Sequence, residues 1–231
     1  MRWYMNMKKS EFWGAMIMFA LHVLLFPVLI SLFMIRWPHV LGSAQLNLIY
    51  YLTSAVLTFV FLGKFLRAQF DPLVDRLWGN FVTFLFGWAI YFVLAFFVGV
   101  IMTWLGIGSE DNPNNSAINE MLGQERNIII AMTVFLAPIV EECIFRGGFF
   151  CGFYRKNRYL AYVLSIVLFS VYHVWQYAFA AQDVSYLLYA VSYIPASFVL
   201  CWVYEKSGSI WTSIFFHMSF NAVQCYSMLA H

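Results

Sequence analysis

The sequence predicts an all-α, polytopic bundle of transmembrane helices, and two observations carry that expectation. Of 231 residues, 63% are apolar and only 10% charged, against about 45–50% and about 25% in soluble domains, so a water-facing surface cannot be assembled from this supply. The apolar residues are also gathered into runs of about 20, the length that crosses hydrocarbon at a rise of about 1.5 Å per residue, and the runs lack strand alternation. Backbone groups in lipid must be satisfied within their own segment, which makes such runs helices. About seven spans are read, joined by connections too short for a soluble domain, so residues 1–231 form one integral membrane domain.

The first span, 12–35, follows Lys8 and Lys9, contains His22 and Pro27, and stops at Trp37-Pro38. Its apolar run exceeds the 7 to 15 residues usual in a signal peptide, so it reads as a span. The second, 45–63, ends at Lys64 and Arg67; the third, 81–107, follows Asp71-Pro72, Arg76 and Trp78. Asn112-Pro113 and an acidic stretch precede the fourth, 127–152, which ends at Arg155, Lys156 and Arg158. The fifth, sixth and seventh cover 159–181, 184–204 and 210–230, the last two parted by Ser207-Gly208. Residues 127–230 are read as the catalytic core. Trp3, Trp13, Trp37, Trp78, Trp104 and Trp211 fall near span ends, as an interfacial aromatic belt does.

Charge sets the expected orientation. Arg2, Lys8, Lys9, Lys64, Arg67, Arg76, Arg155, Lys156, Arg158 and Lys206 share one side, and Arg36 and Arg126 lie on the other with Glu110, Asp111, Glu120 and Glu125. The positive-inside rule then places the N-terminus in the cytoplasm. A net charge of +2 is too balanced for a nucleic-acid partner. Cys143, Cys151, Cys201 and Cys225 have neither zinc-knuckle nor disulfide spacing and read as small buried packers.

Polar residues inside the spans carry the function. The first three spans hold almost nothing ionisable except His22, which beside Pro27 reads as a structural residue bonding a freed carbonyl. The fourth carries Glu141, Glu142 and Arg146, each of which costs about 2.5–3.5 kcal/mol to insert at a helix centre. Glu142 and Arg146 are spaced i, i+4, so an ion pair offsets much of their burial. Glu141 lies about 100° around the helix with no intrahelical cation, which leaves it for chemistry. The fifth span carries Phe169 and His173 one turn apart, and the seventh His217 and Asn221 likewise. Measured from the cytoplasmic ends at 1.5 Å per residue, Glu141 lies about 16 Å deep, His173 about 21 Å, His217 about 10 Å and Asn221 about 16 Å. Three helices thus place polar groups in one slab, expected to form a cavity open toward the cytoplasm.

A partly buried carboxylate can take a proton from water, an imidazole can share or orient that water, and a second His with an Asn can donate to an oxyanion. These are the parts needed to hydrolyse an acyl bond. Ser170 and Ser219 lie in the same helices without a triad pattern. Glu141-Glu142-x-x-x-Arg146, Phe169-x-x-x-His173 and His217-x-x-x-Asn221, in this order on separate spans, resemble the three motifs of the CPBP family, the CAAX proteases and bacteriocin-processing enzymes also called Abi. The resemblance implies an intramembrane endopeptidase of the cell membrane. By motif position Glu141 with His173 activates water, His217 and Asn221 form the oxyanion site, and Glu142, Arg146 and Phe169 support its shape.

Two readings of the cofactor stay open. Catalytic zinc takes three protein ligands plus water, and Glu141, His173 and His217 could supply them, but that use removes the base and no His-Glu-x-x-His pair is present. The metal-free mechanism is favoured. The alternative functions are a non-catalytic immunity or scaffold protein that binds a peptide or partner helices in the same cavity, and a proton-coupled transporter, disfavoured by the lack of internal repeats. The expected partners are the bilayer and a peptide or membrane-associated protein; a prenylated CAAX protein, a bacteriocin leader or a signalling peptide each suits an apolar, Met-rich cavity.

Overall fold

A computed structural model describes residues 5–107 and 112–230; Arg2, Glu110 and Asp111, used above for sidedness, and Trp3, placed above in the aromatic belt, lie outside the described residues. No strand occurs among the described residues. The helices are α1 (Lys9–Arg36), α2 (Ser43–Asp75), α3 (Leu77–Trp104), α4 (Pro113–Tyr154), α5 (Arg158–Tyr172), α6 (Trp175–Ala181), α7 (Val184–Ser207) and α8 (Ile210–Ala230). Among the described residues five are long and apolar enough to cross a membrane, and six if α5 and α6 form one bent span. The seventh expected span is α8, a helix of 21 residues; its His217, Asn221, Ser and Thr residues make it more polar than the others.

Local chemistry sets the boundaries. Glu11 accepts the Lys8 backbone N–H at 2.8 Å to open α1, and Gln45 accepts that of Gly42 at 2.9 Å to open α2. Asn112 caps α4, accepting from Asn114 N at 3.1 Å, with Pro113 at the first position where its missing donor costs nothing. This helix begins well before the expected residue 127 and is kinked at Glu125, whose φ of −137° is not helical. The expected single span 159–181 breaks after Tyr172 and bends by 44° into α6. Gly208, at φ +74°, ends α7 in the left-handed conformation glycine tolerates.

The most apolar window of α4 is 61% buried, against 6% for α3, so α4 is the central helix and α3 faces outward. Helices α1, α2, α5 and α8 surround α4, and α7 packs between α3, α5 and α8. Gly148 allows a close approach: a Cβ there would lie 2.9 Å from Ala15 Cβ of α1. All four cysteines are free and buried, as expected of packers.

Two prolines shape the interior. Helix α1 has a wide, i→i+5 turn over Ala20–Leu25 and α4 has one over Ala131–Leu136. Five residues after His22 stands Pro27 and five after Thr133 stands Pro138, neither with an N–H to give. The two orphaned carbonyls are satisfied from other helices: Tyr50 Oη donates to His22 O at 2.9 Å, and Asn221 Nδ2 to Thr133 O at 2.8 Å. Proline kinks thereby become docking points for α2 and α8.

Candidate active site

Glu141 and Glu142 end a regular turn of α4, and a further wide-turn stretch, Cys143–Cys151, follows them with Arg146 inside it. Wide turns of this kind recur at functional sites. Glu142 and Arg146 are fully buried and paired, Nη1 to Oε1 at 3.1 Å, at the i, i+4 spacing expected of them. The same Oε1 receives His217 Nδ1 at 3.0 Å and Oε2 receives Ser213 Oγ at 2.7 Å. Arg146 Nη2 continues to Ser197 O at 3.1 Å and Oγ at 2.9 Å on α7, and its guanidinium lies 4.2 Å from the centre of the Phe169 ring. Glu142 is thus occupied on both oxygens and joins α4, α7 and α8 as a clamp.

Glu141 is left facing inward. His217 Nε2 lies 3.8 Å and His173 Nε2 4.0 Å from the same Oε2. The opposite ring nitrogens are held from behind, His217 Nδ1 by the Glu142 carboxylate and His173 Nδ1 by the Phe169 carbonyl at 2.8 Å. Carboxylates and carbonyls only accept, so in each neutral ring Nδ1 carries the hydrogen and the Nε2 lone pair points toward Glu141. Tyr193 stacks on His173 with centroids 4.3 Å apart, fixing the ring at the α5–α6 break. Asn221, one turn beyond His217, spends one amide hydrogen on Thr133 and lines the cavity.

The first two helices contribute more than topology. Tyr51 Oη donates to Glu141 Oε1 at 3.3 Å and meets Tyr172 Oη at 3.1 Å. Tyr172 in turn meets His22 Nε2 at 3.0 Å, and His22 Nδ1 meets Ser54 Oγ at 2.9 Å. The carboxylate at one end fixes the direction of every bond: Ser54 donates to His22, His22 to Tyr172, Tyr172 to Tyr51, and Tyr51 to Glu141. His22 was expected to bond a freed carbonyl; its ring instead joins this chain, and Tyr50 takes the carbonyl. Tyr50, Tyr51 and Ser54 stand on one stretch of α2, where their low cost in a membrane interior gave no sequence signal of this role.

A cavity of about 610 Å³ has Tyr51, Tyr172, Glu141, His173, His217 and Asn221 in its wall. Its lining extends to Met34, Ser43, Asn114, Glu120 and Gln224, at the cation-poor ends of the helices. Toward the cation-rich ends the packing is closed by Ile144, Phe145, Arg146 and Phe150, all fully buried. Ser170 Oγ meets no hydrogen-bond partner among the described residues, and Ser219 bonds back to Phe216 O at 2.7 Å, so neither hydroxyl is set against a base.

A zinc ion holds ligands at about 2.0–2.2 Å, which brings neighbouring donor atoms closer together than the 3.8 and 4.0 Å found about Glu141 Oε2. Among the described residues no group of three His, Cys, Asp or Glu is arranged to hold a metal. The spacing suits a bridging water, since contacts beyond about 3.5 Å between polar atoms are commonly spanned by one.

Residues 124–223, which contain all three motifs, match the model of the type II CAAX prenyl endopeptidase Rce1-like family. This part of the chain is similar to the CPBP family. Among relatives, YdiL of Bacillus subtilis (strain 168), named as a candidate membrane peptidase, is 30% identical over 141 residues, 58% of this chain and 52% of the relative. Two UPF0177 proteins of Lactococcus lactis subsp. lactis (strain IL1403) are also similar. YxdF is 29% identical over 86 residues, covering 37% of this chain and 42% of its own, and YbdI is 28% identical over 96 residues, covering 40% and 45%. The matches thus span about half the length of these relatives. No solved structure matches the chain. The CPBP region coincides with the helices that hold Glu141, His173, His217 and Asn221, while Tyr51 and His22 reach the site from outside it.

Proposed function

We propose that this multi-pass membrane protein is an intramembrane endopeptidase that hydrolyses a peptide bond with water activated by Glu141. The observation that carries the reading is the convergence of two imidazole Nε2 atoms on one oxygen of Glu141, at 3.8 and 4.0 Å, in the wall of a cavity large enough for a peptide segment.

Water held between Glu141 and His173 loses a proton to Glu141 as its oxygen bonds the carbonyl carbon. His217 carries a second ring hydrogen at Nε2, taken from bulk water before the attack and balanced by the Glu142 carboxylate at 3.0 Å, and holds that N–H in a hydrogen bond to the developing oxyanion without giving it up. The second amide hydrogen of Asn221 serves the same oxygen. Collapse of the tetrahedral species breaks the C–N bond, and the proton on Glu141 passes to the leaving amine. Every step uses side chains of this chain and one water, and the separations about Glu141 favour that metal-free course over a zinc site.

The test compares polypeptide termini in membranes holding wild-type protein or Glu141→Gln, accumulated equally. New termini present only with the wild type are expected. Identical termini in both would overturn the reading in favour of a non-catalytic scaffold.

A further inference from the structure

We propose that the Glu141 cavity is entered from the extracytoplasmic face and that its substrate is a neutral or basic polypeptide segment presented there. The proposal rests on the peptidase reading for the word substrate; the direction of entry rests on geometry and charge alone.

Two independent observations meet. Lys8 and Lys9 precede α1, Lys64 and Arg67 lie toward the end of α2, Arg155 and Lys156 join α4 to α5, and Lys206 closes α7. All of these are at one end of the bundle, the end the positive-inside rule assigns to the cytoplasm. Apart from Ala137, Glu141 and His217 at its inner end, the cavity is lined largely from the other halves of the same helices: Met34 near the end of α1, Ser43 at the start of α2, Asn114 and Glu120 at the start of α4, Gln176 on α6 and Gln224 toward the end of α8. Met34, Glu120 and Gln176 are exposed, so this end is open. From Glu141 to Tyr154 the chain runs about 20 Å of helix toward the basic end, through the side chains of Ile144, Phe145, Arg146 and Phe150, which have no exposed surface.

The lining also selects chemistry. Among the described residues no Lys or Arg lines the cavity, and Glu120 stands at its mouth. A free C-terminal carboxylate or an acidic segment would enter without a counter-charge, whereas a neutral or basic segment meets Glu120 favourably.

Single cysteines at Glu120 and Gln176, on the open side, and at Lys206, on the basic end, are at exposed positions and replace none of the proposed catalytic groups. The four native cysteines are buried and stay in place, with the unsubstituted protein as background. A membrane-impermeant maleimide is applied to right-side-out and inside-out vesicles. Glu120→Cys and Gln176→Cys are expected to react in right-side-out vesicles and Lys206→Cys in inside-out vesicles. The reverse pattern overturns the proposal, even if Glu141-dependent cleavage is intact. If labelling follows expectation but no Glu141-dependent termini exist, the peptidase reading fails and the direction of entry stands. Where such termini are found, they should lie in extracytoplasmic, neutral or basic segments; cuts confined to cytosolic segments overturn the substrate assignment.

Discussion

Tyr51 Oη donates to Glu141 Oε1 at 3.3 Å, so the carboxylate proposed as general base is held by a helix outside the CPBP region. One oxygen of Glu141 is thereby oriented from α2, and the other is left to the two histidines and the water. Three more bonded groups, Tyr172, His22 and Ser54, stand behind Tyr51 in a single donor direction, which makes it a positioning residue.

Tyr51→Phe removes one donor to the carboxylate and leaves the ring. A hydrogen bond of this type is worth about 1–2 kcal/mol, so kcat should fall roughly tenfold with KM little changed. Steady-state turnover in proteoliposomes measures the split; an unchanged kcat would dismiss the positioning role.

The adjacent glutamates should separate cleanly. Glu142→Ala strands Arg146 in the interior, and breaking a buried pair from one side costs about 3–5 kcal/mol, visible as a large drop in thermal stability in detergent. Glu141→Gln keeps the Tyr51 contact and should melt close to the wild type while losing activity.

Much of this site was legible in the sequence, for a physical reason: Glu142, Arg146, His173 and His217 are too costly in hydrocarbon to occur without partners, and their i, i+4 spacings name faces. The Glu142–Arg146 pair and the approach of both histidines to Glu141 match that reading. What was not legible depends on tertiary geometry. Tyr50, Tyr51 and Ser54 cost little in a membrane interior, so nothing marked them until α2 was seen beside α4. Depth counted along straight helices also missed the kink at Glu125 and the break after Tyr172, and it could not tell which end of the slab was sealed.

Asn221→Ala removes both a proposed oxyanion donor and the partner of the Thr133 carbonyl. Loss of an oxyanion donor typically lowers kcat about 10²–10³-fold. If Asn221 served only as a structural hook, Asn221→Ala would lower stability and leave kcat of the folded fraction near wild type; kcat per folded molecule decides between these.

Gly148→Val should be destabilising by about 1–3 kcal/mol through overpacking, because Ala15 Cβ lies 2.9 Å from the added carbon. Denaturation of the purified protein in mild detergent checks this, and an unaltered midpoint would contradict the close α1–α4 packing.

On the proposed metal-free course, prolonged treatment with a strong zinc chelator should leave turnover unchanged. Loss of activity restored by added zinc would reverse that assignment.

The most direct test of Glu141 as the base is the rate of Glu141→Gln against wild type, at equal protein in proteoliposomes, on a peptide that the wild type cuts. A loss of at least about 10²–10⁴-fold, the contribution general-base catalysis makes, with the melting temperature preserved, is predicted. Cleavage within about twofold of the wild-type rate, a change too small for the loss of a general base, would contradict the account.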